Sequence, residues 1–215
     1  VVLTNKRYLI EGQGNFGNVF TGDPAAASRY IECRLTPLAR EELFNSELTE
    51  FVPSYDARSK EPVTLPSKLP MLLMLGTEGI AVGLSSKILP HNFIELLEAQ
   101  IAVLRKQSFE LFPDFVTGGL MDASEYDDGR GSIRIRAKFK VKDSSTLLIT
   151  EIPPATTTES LIGSIEDATK KGKLRVRSIN DFTAEKIEIE IKAPVGMEAE
   201  KLIPALYAFT ACEIP

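Results

Sequence analysis

The alternation of apolar and polar positions divides the chain into two halves of different character. In the first half the apolar stretches are short and interrupted. Residues 6–10, Lys-Arg-Tyr-Leu-Ile, read as a strand, and Gly12, Gly14 and Gly17 then break the chain into a loop. Asp23-Pro24 is a helix-start signal, because Asp caps orphan amides and Pro fits the first helical position. A helix is expected over 24–35. Pro37 disfavours helical geometry at Thr36, and Thr36-Pro37 opens a second helix running to Leu48. Residues 52–70, rich in proline and polar groups, read as a wrapped connector. The run Met-Leu-Leu-Met-Leu at 71–75 is expected to be buried, with a turn at 76–79 and a short strand at 80–83. Residues 91–106 form an amphipathic helix with Ile94, Leu97, Ile101 and Leu104 on one stripe.

The second half is more regular. Residues 132–142 alternate strictly, the mark of a half-buried strand. A strand at 147–152, a helix at 158–170, strands at 173–179 and 186–192 and a helix at 197–209 follow. This β-β-α-β-β-α order predicts an α+β fold, a mostly antiparallel sheet covered by helices.

Composition adds bounds. The 215 residues make one large domain or two modest ones, and 43% apolar with 26% charged residues excludes a disordered chain. No apolar stretch approaches the ~20 residues of a membrane span, and no secretory signal is visible. Cys33 and Cys212 lie far apart, so reduced thiols rather than a disulfide framework are expected. With His91 as the one histidine, no Cys/His zinc set is available. The net charge of −5 argues weakly against nucleic acid, although binding follows local patches. A start at Val1 and an end at Pro215 straight after a helical pattern suggest a piece of a longer protein.

Three features carry candidate chemistry. Residues 12–19 fit the glycine-rich loops of kinases and dinucleotide sites. No helix opens on Gly17 and no lysine lies between Lys6 and Lys60, so a tight turn is the better reading. Next, Tyr30 follows Arg29, and on a helix Arg34 would share its face. A phenol titrates near about 10 and needs cations to favour the phenolate, and the same cations can neutralise a pentacovalent phosphate. From the spacing alone, an aromatic packed in a helix interface is the stronger alternative. Finally, Arg134, Arg136, Lys138, Lys140 and Lys142 occupy one face of the alternating strand, next to Arg130, with no acid from 130 to 142. They are either a solvated sheet face or a track for phosphates.

Gly12-Gln-Gly-Asn-Phe-Gly17 and Asp23 to Tyr30 resemble the breakage-reunion chains of bacterial type IIA DNA topoisomerases, the A subunits of DNA gyrase and topoisomerase IV. The resemblance continues through Phe51-Val-Pro-Ser-Tyr-Asp56, Gly79-Ile-Ala-Val-Gly83, Pro90-His-Asn92, Thr117-Gly-Gly119, Gly129-Arg-Gly131 and Thr150-Glu-Ile-Pro153. It implies that residues 1–55 are the later part of a winged-helix breakage-reunion domain and 56–215 a tower domain. It implies that Tyr30 attacks a DNA phosphate and is joined to the 5′ end, with Arg29 stabilising the transition state. By its place between glycines Ile80 reads as a buried strand residue, whereas the resemblance implies that it inserts between base pairs. Arg34, Lys87, Arg130, Arg134, Arg136 and Lys138 are candidate DNA contacts by their charge. No metal site is implied in this chain, since Mg2+ and ATP belong to the partner B subunit. The implied partners are double-stranded DNA, the B subunit, and a second copy of the A chain, in the cytoplasm and without a membrane. Thr36-Pro37 and Thr210-Ala-Cys-Glu213 resemble topoisomerase IV more than gyrase. A fragment of this extent is expected to be inactive alone.

Overall fold

The computed structural model describes residues 8–215, which fall into two compact units. One takes the chain up to Gly17 and Pro24–Leu111. The other takes Asn18–Asp23 and Phe112–Pro215.

The first unit is built from three small antiparallel ribbons and short helices. Strands β1 (Ile10–Gln13) and β2 (Glu32–Leu35) pair in register from Ile10 opposite Leu35 to Gln13 opposite Glu32. The expected strand at 6–10 is thus displaced: Lys6 and Arg7 lie outside the described residues, Tyr8 and Leu9 are helical, and pairing begins at Ile10. Helix α1 (Pro37–Leu43) starts as the sequence indicates, with Pro37 in the first turn and the Thr36 hydroxyl accepting from the Ala39 amide at 3.1 Å, but it stops short of Leu48. Strands β3 (Phe51–Pro53) and β4 (Lys60–Pro62) pair within the connector.

The run at 71–75 is helix α2 (Met71–Leu75), and of it only Met74 is buried. A hairpin follows, β5 (Thr77–Ala81) and β6 (Leu84–Ile88), turning at Val82-Gly83. Helix α3 (Phe93–Leu104) is capped by the Asn92 side chain, which accepts from the Ile94 amide at 2.9 Å. Its buried side chains are Leu96 and Ala99, whereas Ile94, Ile101 and Leu104 of the expected stripe are exposed. His91 packs at this helix start, its Nδ1 3.2 Å from the Leu73 carbonyl.

The second unit keeps the expected order of elements, but the strand expected over 173–179 begins only at Ser178, and the one expected over 186–192 only at Ile189. Strands β9 (Lys138–Asp143), β10 (Thr146–Glu151), β11 (Ser178–Asp181) and β12 (Ile189–Lys192) form an antiparallel sheet in the order β11-β12-β10-β9. Helix α4 (Thr158–Lys170) and helix α5 (Ile203–Phe209), the latter entered by a 3-10 turn at Ala199–Leu202, supply the apolar faces that cover it. Leu147, Ile149, Ile189 and Ile191 of the sheet, Leu161 and Ile165 of α4 and Leu206 of α5 are fully buried in one core. α4 is well specified: Thr157 and Ser160 cap each other's amides, and its apolar residues recur at helical spacing.

A second sheet carries β7 (Leu120–Asp122), β8 (Arg134–Arg136) and β13 (Glu213–Ile214), ordered β13-β8-β7. The strand expected over 132–142 is therefore two strands in two sheets. The break is Ala137, fully buried, whose amide donates to the Cys212 carbonyl at 2.7 Å and whose carbonyl accepts from the Tyr207 hydroxyl at 2.8 Å. The amide extends the β8–β13 register by one residue while the carbonyl is taken by a side chain, and the chain passes from one sheet to the other there.

Candidate functional site

The segment from Asp23 to Leu35 is not a helix. Residues 24–27 are irregular, Ser28–Tyr30 form one 3-10 turn, and Glu32–Leu35 belong to β2. Three local choices override the helix signal. The Asp23 carboxylate accepts from the Thr21 hydroxyl at 2.6 Å, and no α-helix starts behind it. The Ala26 amide donates to the Asn15 carbonyl at 3.0 Å. Residues 32–35 find a full ladder partner in β1. Helix propensity is a weak prior, and tertiary pairing wins here.

This geometry accounts for the glycine loop. Gly14 has φ +99°, and a Cβ there would lie 2.8 Å from the Tyr30 carbonyl oxygen. At Gly12 the added atom would collide with the Phe16 ring. The loop is a seat for the turn that carries Tyr30: Gly14 permits the close backbone approach, and the Asn15 carbonyl ties down Ala26.

On that seat Tyr30 is 67% exposed, and the Arg29 guanidinium carbon stands 4.7 Å from its ring centroid. A nucleophile must be reachable by a bulky substrate, and a cation beside the phenol suits charge developing on a phosphate. Arg34 does not join them. It lies on β2 and pairs bidentately with Glu11 of β1, Nε to Oε2 at 2.8 Å and Nη2 to Oε1 at 2.9 Å. That pair raises the guanidinium pKa and lowers that of the carboxyl. The shared helix face expected for Tyr30 and Arg34 does not exist. Glu11 is the partner that reading along the sequence missed, and only the β1–β2 register reveals it.

Ile80 sits on β5 opposite Ser85, one residue from the hairpin turn, and is 84% exposed, with Val82 and Leu84 exposed beside it. A protruding apolar tip is the shape of a wedge. Lys87 is on β6 rather than in a loop, exposed and in register with Glu78.

The basic face at 134–142 is largely compensated. Arg134 and Arg136 both reach Glu213, the Arg136 guanidinium also lying 5.0 Å from the Tyr207 ring centroid. Glu213 raises the Arg136 pKa. Lys138 holds Glu151 at 2.9 Å, and the other Glu151 oxygen accepts from the Gly119 amide at 2.8 Å. Both contacts lower the Glu151 pKa, the backbone bond foremost. Lys142 and Lys192 share the buried Glu190, at 2.9 and 3.4 Å. The acids come from distant parts of the sequence, which is why a scan of 130–142 alone shows none. Arg130 follows the 3-10 turn Asp127–Gly129 and is exposed. Among the described residues no group of three or more His, Cys, Asp or Glu side chains is placed to hold a metal ion.

The family model for the A chain of DNA gyrase/topoisomerase IV matches residues 2–215. The chain belongs to the DNA gyrase/topoisomerase IV A-subunit family. It is 53% identical over 214 residues to the A subunit of DNA topoisomerase 4 from Borreliella burgdorferi, covering 100% of this chain and 34% of that protein. It is 38% identical over 228 residues to the A subunit of DNA gyrase from Mycobacterium tuberculosis (strain H37Rv), covering 94% of this chain and 27% of that protein. With the A subunit of DNA gyrase from Chlamydia muridarum the identity is 37% over 230 residues, covering 96% of this chain and 27% of that protein. The chain spans 34% or less of the length of these A-subunit relatives. Among the described residues no helix is long and apolar enough to cross a membrane.

Proposed function

We propose that this A-subunit chain carries the DNA-breaking nucleophile of a type IIA topoisomerase. The Tyr30 phenolic oxygen attacks a phosphodiester phosphorus as its proton leaves to solvent or a base. An O–P bond to Tyr30 forms, the P–O3′ bond breaks, and the 3′ oxygen takes up a proton. The result is a 5′-phosphotyrosyl link and a free 3′ hydroxyl, which reverses the step on religation. Because the ester bond is exchanged rather than hydrolysed, resealing needs no separate energy source. Arg29 neutralises charge on the pentacovalent phosphate, and Ile80 wedges between base pairs to bend the duplex. The observation that carries this reading is the exposed Tyr30 with Arg29 against its ring, on a turn seated by Gly14 and Asn15.

The working enzyme is proposed to be two A and two B chains acting on double-stranded DNA in the cytoplasm. The B subunit would supply ATP hydrolysis and Mg2+, and one tyrosine would serve each strand. Higher identity to a topoisomerase IV relative over the whole chain favours relaxation and decatenation over the supercoiling of gyrase. Residues 1–55 are proposed to belong to the winged-helix domain and 56–215 to the tower, a division of the family's longer chain and not of the packing units. This stretch alone is expected to be inactive.

The test uses the full-length A subunit with its B subunit, magnesium and end-labelled duplex, quenched with detergent. Wild type is expected to yield protein-linked DNA, and Tyr30→Phe none. An adduct that persists in Tyr30→Phe moves the nucleophile elsewhere. DNA bound without adduct in either would make the chain a noncatalytic binding module.

A further inference from the structure

Arg134, Arg136, Lys138 and Lys142 are matched by carboxylates where they stand, so each of these would have to give up a partner before meeting a phosphate, while the exposed Lys140 and Arg130 make no ion pair among the described residues. A longer run of unpaired cations in the second unit lies elsewhere. Between Asp167 and Asp181 there is no acidic residue, yet the segment holds Lys170, Lys171, Lys173, Arg175 and Arg177. Lys170 leans on Glu166 and Asp167 at 3.9 and 3.6 Å. The other four make no ion pair among the described residues.

The segment is held in place. Its Lys173 amide donates to the Ala168 carbonyl at the end of α4, at 3.0 Å, and its Arg177 amide to the Lys192 carbonyl of β12, at 2.8 Å. Leu174 is buried and Val176 half-buried, so Lys173, Arg175 and Arg177 alternate outward. The Lys173 ammonium stands 5.2 Å from the Phe209 ring centroid. A row of exposed cations on an anchored backbone suits a regular polyanion read without regard to sequence.

We propose that Lys171, Lys173, Arg175 and Arg177 form a phosphate-backbone contact surface for duplex DNA, additional to the Tyr30 turn. The identity of the polyanion rests on the functional reading above. The surface positions DNA and takes no part in the bond exchange.

The test measures affinity of the full A–B complex for a mixed-sequence duplex at a series of salt concentrations. Each lost phosphate contact removes about 0.9 from the slope of log affinity against log salt. The K171Q/K173Q/R175Q/R177Q variant should lower the slope by about 3 to 4, and the pairs K171Q/K173Q and R175Q/R177Q by about half that. The charge-preserving K171R/K173R/R175K/R177K variant should keep it. Thermal melts identify any misfolded variant, in which case the pairs decide. An unchanged slope in folded protein overturns the proposal, and so does an equal loss in the charge-preserving variant. Weaker binding of the B subunit, with the DNA slope unchanged, would assign the surface to an acidic protein instead and overturn it too. Adduct formation is scored on the same samples. A wild type that forms Tyr30-linked DNA while the slope stays fixed loses only this surface. A wild type without adduct loses the functional reading.

Discussion

At Tyr30 the carbonyl is held closely while the phenol stands free, and the two facts have different causes. The carbonyl is confined because Gly14 passes beneath it with φ +99°. Gly14→Ala would set a Cβ against that oxygen in a backbone region L-residues avoid, and should cost about 1–3 kcal/mol of stability. Because the turn itself must shift, adduct formation in the full complex should fall by at least about tenfold, a 1.4 kcal/mol change in barrier. Quenched covalent-complex assays beside urea melts separate the two effects. The cysteines make a second contrast. Cys33 is exposed on β2, whereas burial pushes the Cys212 thiol up to about 11. A thiol reagent at neutral pH should modify Cys33 at once and Cys212 only on unfolding. The proposed catalytic pair and wedge residue were named through the family resemblance of the motifs around them, since their spacing alone favoured packing roles. The fate of Arg34 could not, since Glu11 lies 23 positions away and becomes its neighbour only when β1 meets β2.

Among the elements, the β5–β6 hairpin stands out for what it leaves uncovered. Ile80, Val82 and Leu84 are all exposed. Burying an isoleucine is worth roughly 1.5–3 kcal/mol, comparable with the few kcal/mol needed to unstack a base step. Ile80→Ala should therefore reduce DNA bending, read by end-to-end energy transfer on a doubly labelled duplex, while leaving the melting temperature nearly unchanged. Elements whose signals are local were legible: α4 has its cap, its stripe and its length written in consecutive residues. Elements decided by distant partners were not. Residues 24–35 carry a helix signal but are claimed by Asn15 and β1. Residues 132–142 carry one alternation but are split at Ala137 by Tyr207 and Cys212, from a remote part of the chain. The α3 stripe was correctly periodic, yet periodicity does not say which face a neighbour will cover.

For the whole molecule, the asymmetry of burial sets the order of opening. The second unit holds a contiguous buried core running from Ala137 to Cys212. Among the described residues of the first unit the buried apolar ones are Phe16, Ala39, Met74, Leu96 and Ala99. Amide exchange should be slowest in β10, β12 and α4 and faster throughout the first unit. Acid should act on the second unit through Glu151 and Glu190, whose pKa values are lowered by the Gly119 amide and by Lys142 respectively. A lowered native pKa contributes stability above the ordinary glutamate range of about 4.3, lost as pH falls through the native value. Glu151→Gln should flatten the acid limb of a stability–pH profile, with less effect at neutral pH than Glu151→Ala.

The segment Asn18–Asp23 sits apart in sequence from the rest of its unit. Its Phe20 side chain packs on the core, the Phe20 carbonyl accepts from the Thr158 amide at 2.8 Å, and Gly22 passes against Thr157. A protease that nicked the connector at the exposed Arg58 would leave Asn18–Asp23 on one piece and Phe112–Pro215 on the other. The two pieces would stay together on a sizing column until the second unit unfolded, so a gel and a column would disagree about whether the chain had been cut.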